Sequence, residues 1–135
     1  MANETDSALM SLYAYAASND NSPVFSSDWT VLEDRTTGTF GFAYAVFQGP
    51  GGEIVISYRG SDDGEDWLTN AGVTIEQEIQ AAKVAARYIN QGGNVSFTGH
   101  SLGGGLASTM AVWFNRPATV FDPAPTGPQR AAQLV

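Results

Sequence analysis

The amino-acid sequence predicts an α/β fold in which a mostly parallel sheet is flanked by helices. Two short apolar runs, 54–58 and 95–98, are separated by a long amphipathic stretch, which is the pattern of a strand–helix–strand unit. A second helical pattern follows the later run, and a further apolar run, 118–122, follows that helix. With 43% hydrophobic and 15% charged residues, the 135-residue chain has enough apolar side chains for one core.

The first strands are predicted from apolar runs bounded by turn residues. A strand is expected at 29–33, followed by a turn at 36–38. The runs 40–47 and 54–58 flank the turn cluster 48–52 and predict a hairpin.

Two helices are predicted from apolar residues at helical spacing. The first runs from residue 5 or 6 to about 18, and one face carries Ala8, Leu9, Leu12, Tyr13 and Ala16. The second begins near Thr74, which forms a capping-box pattern with Gln77, and it ends at Gly92-Gly93. Its predicted buried face consists of Ile75, Ile79, Ala82, Ala86 and Ile89. Because this helix joins two apolar strands, we expect a right-handed crossover between parallel strands.

The run between 95–98 and the following helix, 102–115, contains Gly-x-Ser-x-Gly at Gly99, Ser101 and Gly103. In a nucleophile elbow the apex serine is forced towards positive φ, so residues two before and two after it must not carry a clashing Cβ. The serine oxygen then stands free, and the first amides of the helix point towards it. The alternative is an ordinary glycine-rich turn in which Ser101 only caps the helix.

Charge and composition narrow the classes of molecule that this chain is expected to bind. A net charge of −8 argues against nucleic acid and against binding to anionic membranes. The chain has no cysteine, which excludes disulfides and thiolate metal sites, and no apolar run is long enough to span a membrane. The N-terminus lacks the pattern of a signal peptide, so localisation stays open between the cytoplasm and secretion without such a signal. The acidic run 62–66 fits neither EF-hand nor zinc spacing and is interpreted as a solvated loop.

Three segments occur in a specific order: Ile56 to Ser61, Asp66 to Asn70, and Thr98 to Ala107. Together they resemble the class 3 lipase family of α/β-hydrolases. The resemblance implies an α/β-hydrolase-like sheet and hydrolysis of carboxylic esters, typically of acylglycerols or related lipids, through an acyl-enzyme on Ser101. It implies no metal and no organic cofactor.

The resemblance also assigns roles to individual residues. The backbone N–H groups of Ser61 and Leu102 correspond to the two donors of the oxyanion hole. Arg59, Asp66 and Trp67 correspond to positions that hold the oxyanion loop in shape.

The sequence departs from the family pattern in its catalytic base. Such chains place the nucleophile first, then an acid, then a histidine, but the single histidine here, His100, lies inside the elbow. It is interpreted as a packing residue of the turn. Asp122 is a candidate acid, with a turn-forming Asp-Pro as the alternative. The segment between Asp66-Trp67 and the elbow is also shorter than in the family.

The chain ends soon after the strand 118–122 in an apolar pair, so we expect residues 1–135 to be a single, incomplete domain. One hypothesis is a serine ester hydrolase whose histidine lies on missing residues or on a partner chain. The alternative is a non-catalytic, hydrolase-like binding module or an inactive fragment. A nucleotide-binding domain is disfavoured because no Gly-Lys-Ser/Thr follows the glycines. An open sheet edge would favour self-association or a partner segment.

Overall fold

A computed structural model gives the fold and describes residues 4–13, 28–37, 42–60 and 71–121. In chain order its helices and strands are α1 (Glu4–Tyr13), β1 (Thr30–Thr37), β2 (Ala43–Gln48), β3 (Glu53–Arg59), α2 (Ala71–Asn90), β4 (Asn94–His100), α3 (Leu102–Phe114) and β5 (Ala118–Phe121). Several predicted features lie outside the described residues, namely the later part of the first helix, the acidic run 62–66, Ser61, Asp66, Trp67 and Asp122.

The five strands form one sheet in the order β1-β2-β3-β4-β5. The β1–β2 and β2–β3 pairs are antiparallel, whereas β3–β4 and β4–β5 are parallel. Every strand except β2 therefore runs in the same direction. This topology confirms the predicted α/β fold with a mostly parallel sheet, and it also confirms the β2–β3 hairpin.

Side chains alternate between the two faces of the sheet, because successive residues of a strand point to opposite sides. One face packs against α2 and α3 and carries the larger apolar cluster, to which β3 contributes Ile54, Ile56 and Tyr58. The other face packs against α1 and carries a smaller cluster of Met10, Trp29, Ala45, Phe47 and Val55.

Hydroxyl groups fasten α1 to its face of the sheet. The Ser57 hydroxyl donates to the Met10 carbonyl oxygen at 2.9 Å. Thr98 contacts two carbonyl oxygens, Thr119 at 2.7 Å and Ser7 at 3.3 Å, and thereby links α1, β4 and β5. The buried polar groups of this face are thus hydrogen-bonded, as the cost of burying them requires.

The predicted buried faces of both helices were partly wrong. Among the described side chains of α1, Asp6, Ser7, Met10 and Ser11 are buried, whereas Ala8 and Leu9 are only half-buried. The side chains of Leu12 and Tyr13, and Ala16, lie outside what the structure describes. In α2 the predicted Ile75 and Ile79 are 48% and 44% exposed. The helix instead buries Gln77, Glu78, Ala81, Val84 and Ala85. Small residues at 81 and 85 let the helix approach the sheet closely, and the Tyr58 hydroxyl reaches the Ala81 carbonyl oxygen at 2.8 Å.

Two predicted boundaries also change. Thr36 and Thr37 belong to β1 rather than to a turn, and α2 begins at Ala71, so Thr74 lies inside the helix. Within the described ranges, none of the helices is both long enough and apolar enough to cross a membrane.

Candidate active site

Ser101 occupies the sharp turn between β4 and α3 with φ 55° and ψ −123°. Its N–H donates to the Phe121 carbonyl oxygen at 3.0 Å, and its own carbonyl oxygen accepts from the Gly105 N–H at 3.0 Å. The turn is therefore anchored to β5 on one side and to the first turn of α3 on the other. The predicted positive φ at the apex is confirmed.

The Ser101 side chain is not used as a helix cap. Although Ser101 occupies the N-cap position of α3, its hydroxyl makes no capping hydrogen bond within the described helix. The interpretation of Ser101 as a capping residue is therefore wrong at the level of the side chain, and the residue stays partly exposed.

The two motif glycines allow backbones to meet without intervening side chains. A Cβ added at Gly99 would lie 2.3 Å from the Gly103 carbonyl oxygen. A Cβ added at Gly103 would lie 2.0 Å from the Tyr58 carbonyl oxygen. Both distances are far below van der Waals contact, so α3 is pressed directly onto the carboxyl ends of β3 and β4.

The same close approach brings the predicted oxyanion segment to the elbow. Gly60 follows β3 directly, and a Cβ added there would lie 2.7 Å from Leu102 Cγ. Gly103 lies against Arg59, whose Cα would be 3.2 Å from an added Cβ. The structure thus brings together Arg59-Gly60 and Leu102-Gly103, the parts of both predicted segments that it describes.

The N-terminal end of α3 favours negative charge beside it. The first turn of α3 contains no acidic residue, so its unpaired N–H groups and the positive end of the helix dipole are not neutralised from within that turn. An oxygen that gains negative charge beside Ser101 would face these donors. No group of three or more His, Cys, Asp or Glu side chains able to hold a metal occurs among the residues that the structure describes.

His100 lies on the face of β4 that is turned away from α3. Thr98 contacts α1, and residues two apart in a strand share a face, so His100 lies on the α1 side, opposite the Gly99–Gly103 contact. In the sheet it pairs with Phe121, the residue before Asp122. This position supports its interpretation as a packing residue.

Sequence reasoning missed one residue beside this edge. Gln77 is fully buried, and a Cβ added at Gly60 would lie 2.8 Å from its Oε1. The capping-box pattern concealed it, because that pattern places Gln77 at a helix end. Gln77 shares the buried face with Ala81 and Ala85, four and eight residues later, but that face is not the one that the apolar pattern predicts.

A serine at positive φ between a parallel strand and a helix, at the carboxyl edge of a mixed sheet, defines an α/β-hydrolase-like protein. Residues 8–133 match the Tle-like phospholipase domain, and the chain belongs to this phospholipase-like family. The lipase-type relationship predicted from the sequence is thereby confirmed.

Two relatives agree with this membership. The chain is 35% identical over 79 residues to an extracellular phospholipase A1 of Serratia liquefaciens, a match that covers 53% of the chain and 24% of that protein. It is 28% identical over 127 residues to a secreted mono- and diacylglycerol lipase 1 of Fusarium solani, covering 76% of the chain and 38% of that protein. The chain therefore spans less than two fifths of the length of either relative.

Proposed function

We propose that this chain carries the nucleophile and the oxyanion hole of a serine hydrolase that cleaves carboxylic ester bonds in lipids. Membership in a phospholipase-like family supports lipolytic ester hydrolysis at the level of the family. The observation that carries the serine mechanism is the strained backbone of Ser101, held above the first turn of α3 with its hydroxyl not used as a cap.

In the proposed reaction, Ser101 Oγ attacks the ester carbonyl carbon while a base takes its proton. The oxygen that becomes negative accepts hydrogen bonds from the backbone N–H groups of Leu102 and Ser61. Arg59, Asp66 and Trp67 hold the segment that carries Ser61. The proton passes to the departing alcohol, and water then cleaves the acyl-Ser101 ester, releasing the carboxylic acid and restoring the hydroxyl.

The base in this proposal is a histidine outside the 135 residues, because His100 lies on the opposite face of β4. Asp122 is the proposed acid that would orient it, since it follows Phe121, which pairs with His100 at the same edge of the sheet. Without that base the Ser101 hydroxyl is a weak nucleophile near neutral pH, so acyl transfer through it is slow. We therefore expect slow turnover from this chain alone.

The names of the relatives suggest the substrate class. One is named a phospholipase A1 and the other a mono- and diacylglycerol lipase, and both names describe lipids that contain carboxylic esters. We infer that the substrate of this chain is an acyl ester of this kind, with the reaction at the acyl carbonyl.

The test is hydrolysis of a short-chain chromogenic ester, a phospholipid and a diacylglycerol by the whole chain. Ser101→Ala is compared with Ser96→Ala, a serine of the same strand region that is also partly buried. We expect slow hydrolysis that is lost in Ser101→Ala and kept in Ser96→Ala. Equal rates for wild type and Ser101→Ala would contradict the proposal.

The position of the single histidine favours one alternative, a module that binds an acyl ligand without turnover. Such a module would bind phospholipid vesicles or a fatty acid equally well in wild type and Ser101→Ala and would hydrolyse none of the three esters.

We also propose that a second copy or a further segment pairs with β5. This strand is the last in the sheet order, and among the described residues its only strand partner is β4. Size-exclusion chromatography with light scattering tests self-association, and a monomer at every concentration would contradict pairing between copies.

A further inference from the structure

Helix α2 carries an apolar stripe outside the face that it buries against the sheet. Ile75 and Ile79 are 48% and 44% exposed, and the stripe continues with the partly buried Ala82, Ala86 and Ile89. The successive spacings of 4, 3, 4 and 3 residues are those of the seven-residue repeat by which two helices pack side by side. Large apolar side chains exposed in one row mark a contact surface.

Two charged side chains flank this stripe on the same side. Glu76 directly follows Ile75, and Lys83 directly follows Ala82, so both occupy the same position of the seven-residue repeat. They lie two turns, or about 10 Å, apart along the helix axis, which is too far for them to pair with each other. The residues three and four positions from each include no opposite charge. Neither charge therefore has a partner within its own helix.

A second copy of α2, packed antiparallel, would supply both partners. A two-fold axis that crosses the helix between residues 79 and 80 lies midway between Glu76 and Lys83. It would bring Glu76 of one copy beside Lys83 of the other. Because a two-fold contact is the same seen from either copy, the ion pair would form twice.

The same axis would match the apolar side chains by size. At 1.5 Å of rise per residue, Ile75 of one copy would face the gap between Ala82 and Ala86 of the other. Ile79 would lie beside its own counterpart near the axis. Packing a large side chain into a gap between small ones is how helices interlock at such a seam. The charge pattern and the size pattern thus agree on one arrangement.

We propose that the apolar stripe of α2 is an interface through which two copies of this chain associate, with their α2 helices antiparallel. Charge favours a second copy over a lipid surface, because a helix that lies on a membrane is rich in Lys and Arg along its polar face. Here one acid and one base flank the stripe, and the chain has a net charge of −8. The inference is independent of the proposed ester hydrolysis. It also concerns a different surface from the β5 edge, since α2 covers a face of the sheet.

The first test is sedimentation velocity of the whole chain over a wide range of concentrations. One helix pair buries less area than a standard interface, so we expect a weak, reversible dimer. Ile79→Lys places a charge at the apolar centre of the contact and should weaken association at least about 100-fold. The matched control is Leu32→Lys on β1, because Leu32 is also 44% exposed. It should leave association within about twofold of wild type, as surface substitutions outside the contact do.

The second test exchanges the charges beside the stripe. Glu76→Lys and Lys83→Glu each turn both ion pairs of the dimer into like-charge contacts, and each should weaken association about tenfold. An equal mixture of the two variants opposes unlike charges again at both pairs. The mixed dimer should therefore form about as tightly as the wild-type dimer. Parallel helices would not bring these two positions together, so mixing would then restore nothing.

Each result decides for or against the α2 interface. A wild-type chain that stays monomeric at every concentration would overturn it and leave the proposed ester hydrolysis untouched. A dimer that survives Ile79→Lys, or that is lost equally in Leu32→Lys, would also overturn it. If Ile79→Lys fails to fold, the charge variants decide: recovery on mixing supports the antiparallel interface, and no recovery overturns it.

Discussion

Strand β3 turns Ile54, Ile56 and Tyr58 towards α2 and α3, and Val55 and Ser57 towards α1. On the first face, aromatic rings lie against one another, with the Tyr58 and Phe97 centroids 5.8 Å apart. On the second face the apolar cluster is smaller, and hydroxyls bond to carbonyl oxygens of α1. The comparison indicates that nondirectional apolar burial holds the helices beside the candidate site, whereas directional hydrogen bonds hold α1.

The strongest test of this comparison replaces one phenylalanine on each face. Phe97→Ala on the α2/α3 face should lower the free energy of unfolding by about 3–5 kcal/mol, because it leaves a cavity in a closely packed cluster. Phe47→Ala on the α1 face removes an equally buried ring from the smaller cluster and should cost less. Urea unfolding measures both. Equal losses would contradict the difference between the faces.

Loss of the hydrogen bonds that the Ser57 and Thr98 hydroxyls donate should destabilise mainly α1. Ser57→Ala and Thr98→Val each leave a buried carbonyl without one donor, which costs about 1–3 kcal/mol. Hydrogen exchange should show faster exchange in α1 and little change in α3. The control is Thr109→Val in α3, which removes the bond to the Gly105 carbonyl of its own helix. Uniform acceleration across the chain in Ser57→Ala would argue against local attachment.

Tyr58→Phe tests the polar tether within the apolar face. Loss of the bond to the Ala81 carbonyl should cost about 1 kcal/mol at neutral pH. Burial, with a smaller effect from Tyr44, raises the pKa of Tyr58 well above its ordinary value. A raised pKa in the folded state stabilises the protein below about pH 10, and that stability is lost as the pH rises above it. The stability of Tyr58→Phe should therefore fall less steeply in alkali, and an unchanged pH profile would contradict this.

The smallest effect on stability is expected at the rim of the α2/α3 face of the sheet, where β1 meets α2. Arg87 Nη2 lies 2.8 Å from Glu33 Oε2 and 3.0 Å from the Tyr44 hydroxyl, which itself contacts Glu33. The Arg87 and Glu33 side chains are 47% and 26% exposed. Glu33→Gln should therefore cost less than about 1 kcal/mol, because exposed ion pairs contribute little. Thermal unfolding at low and high salt should show that the loss shrinks as salt rises, and a loss independent of salt would show that charge is not its cause.

The elbow could be predicted from the sequence because its cause is local. A positive φ at Ser101 and the close approach of Gly99 to Gly103 are steric requirements that act within five residues. The buried face of α2 could not be predicted in the same way. Ile75 and Ile79 form the more apolar stripe, yet the helix turns Gln77 and Ala81 inward, where the Tyr58 hydroxyl donates to the Ala81 carbonyl oxygen and the Gln77 amide lies beside Gly60. Tyr58 lies in β3 and Gly60 directly after it, and both are distant from α2 in sequence.

In the candidate site, too, the contacts between segments that are distant in sequence could not be predicted from the local pattern. That Arg59-Gly60 meets Leu102-Gly103 was expected only from the family resemblance, since it depends on β3 and β4 being neighbours in the sheet. The contact of Gln77 with Gly60 depends on the rotation of α2 about its axis, which the apolar pattern predicted wrongly. Ser61, Asp66, Trp67 and Asp122 remain predictions.

The strained dihedral angles of Ser101 also affect which residue type is most stable at this position. A residue with a side chain held at φ 55° and ψ −123° costs the folded state about 1–3 kcal/mol. Glycine would relieve that strain, and the greater freedom of glycine in the unfolded chain offsets only about 0.5–1 kcal/mol of the gain. Selection for thermal tolerance alone would therefore favour glycine at position 101, and a serine retained there despite that strain agrees with the proposed role of its hydroxyl.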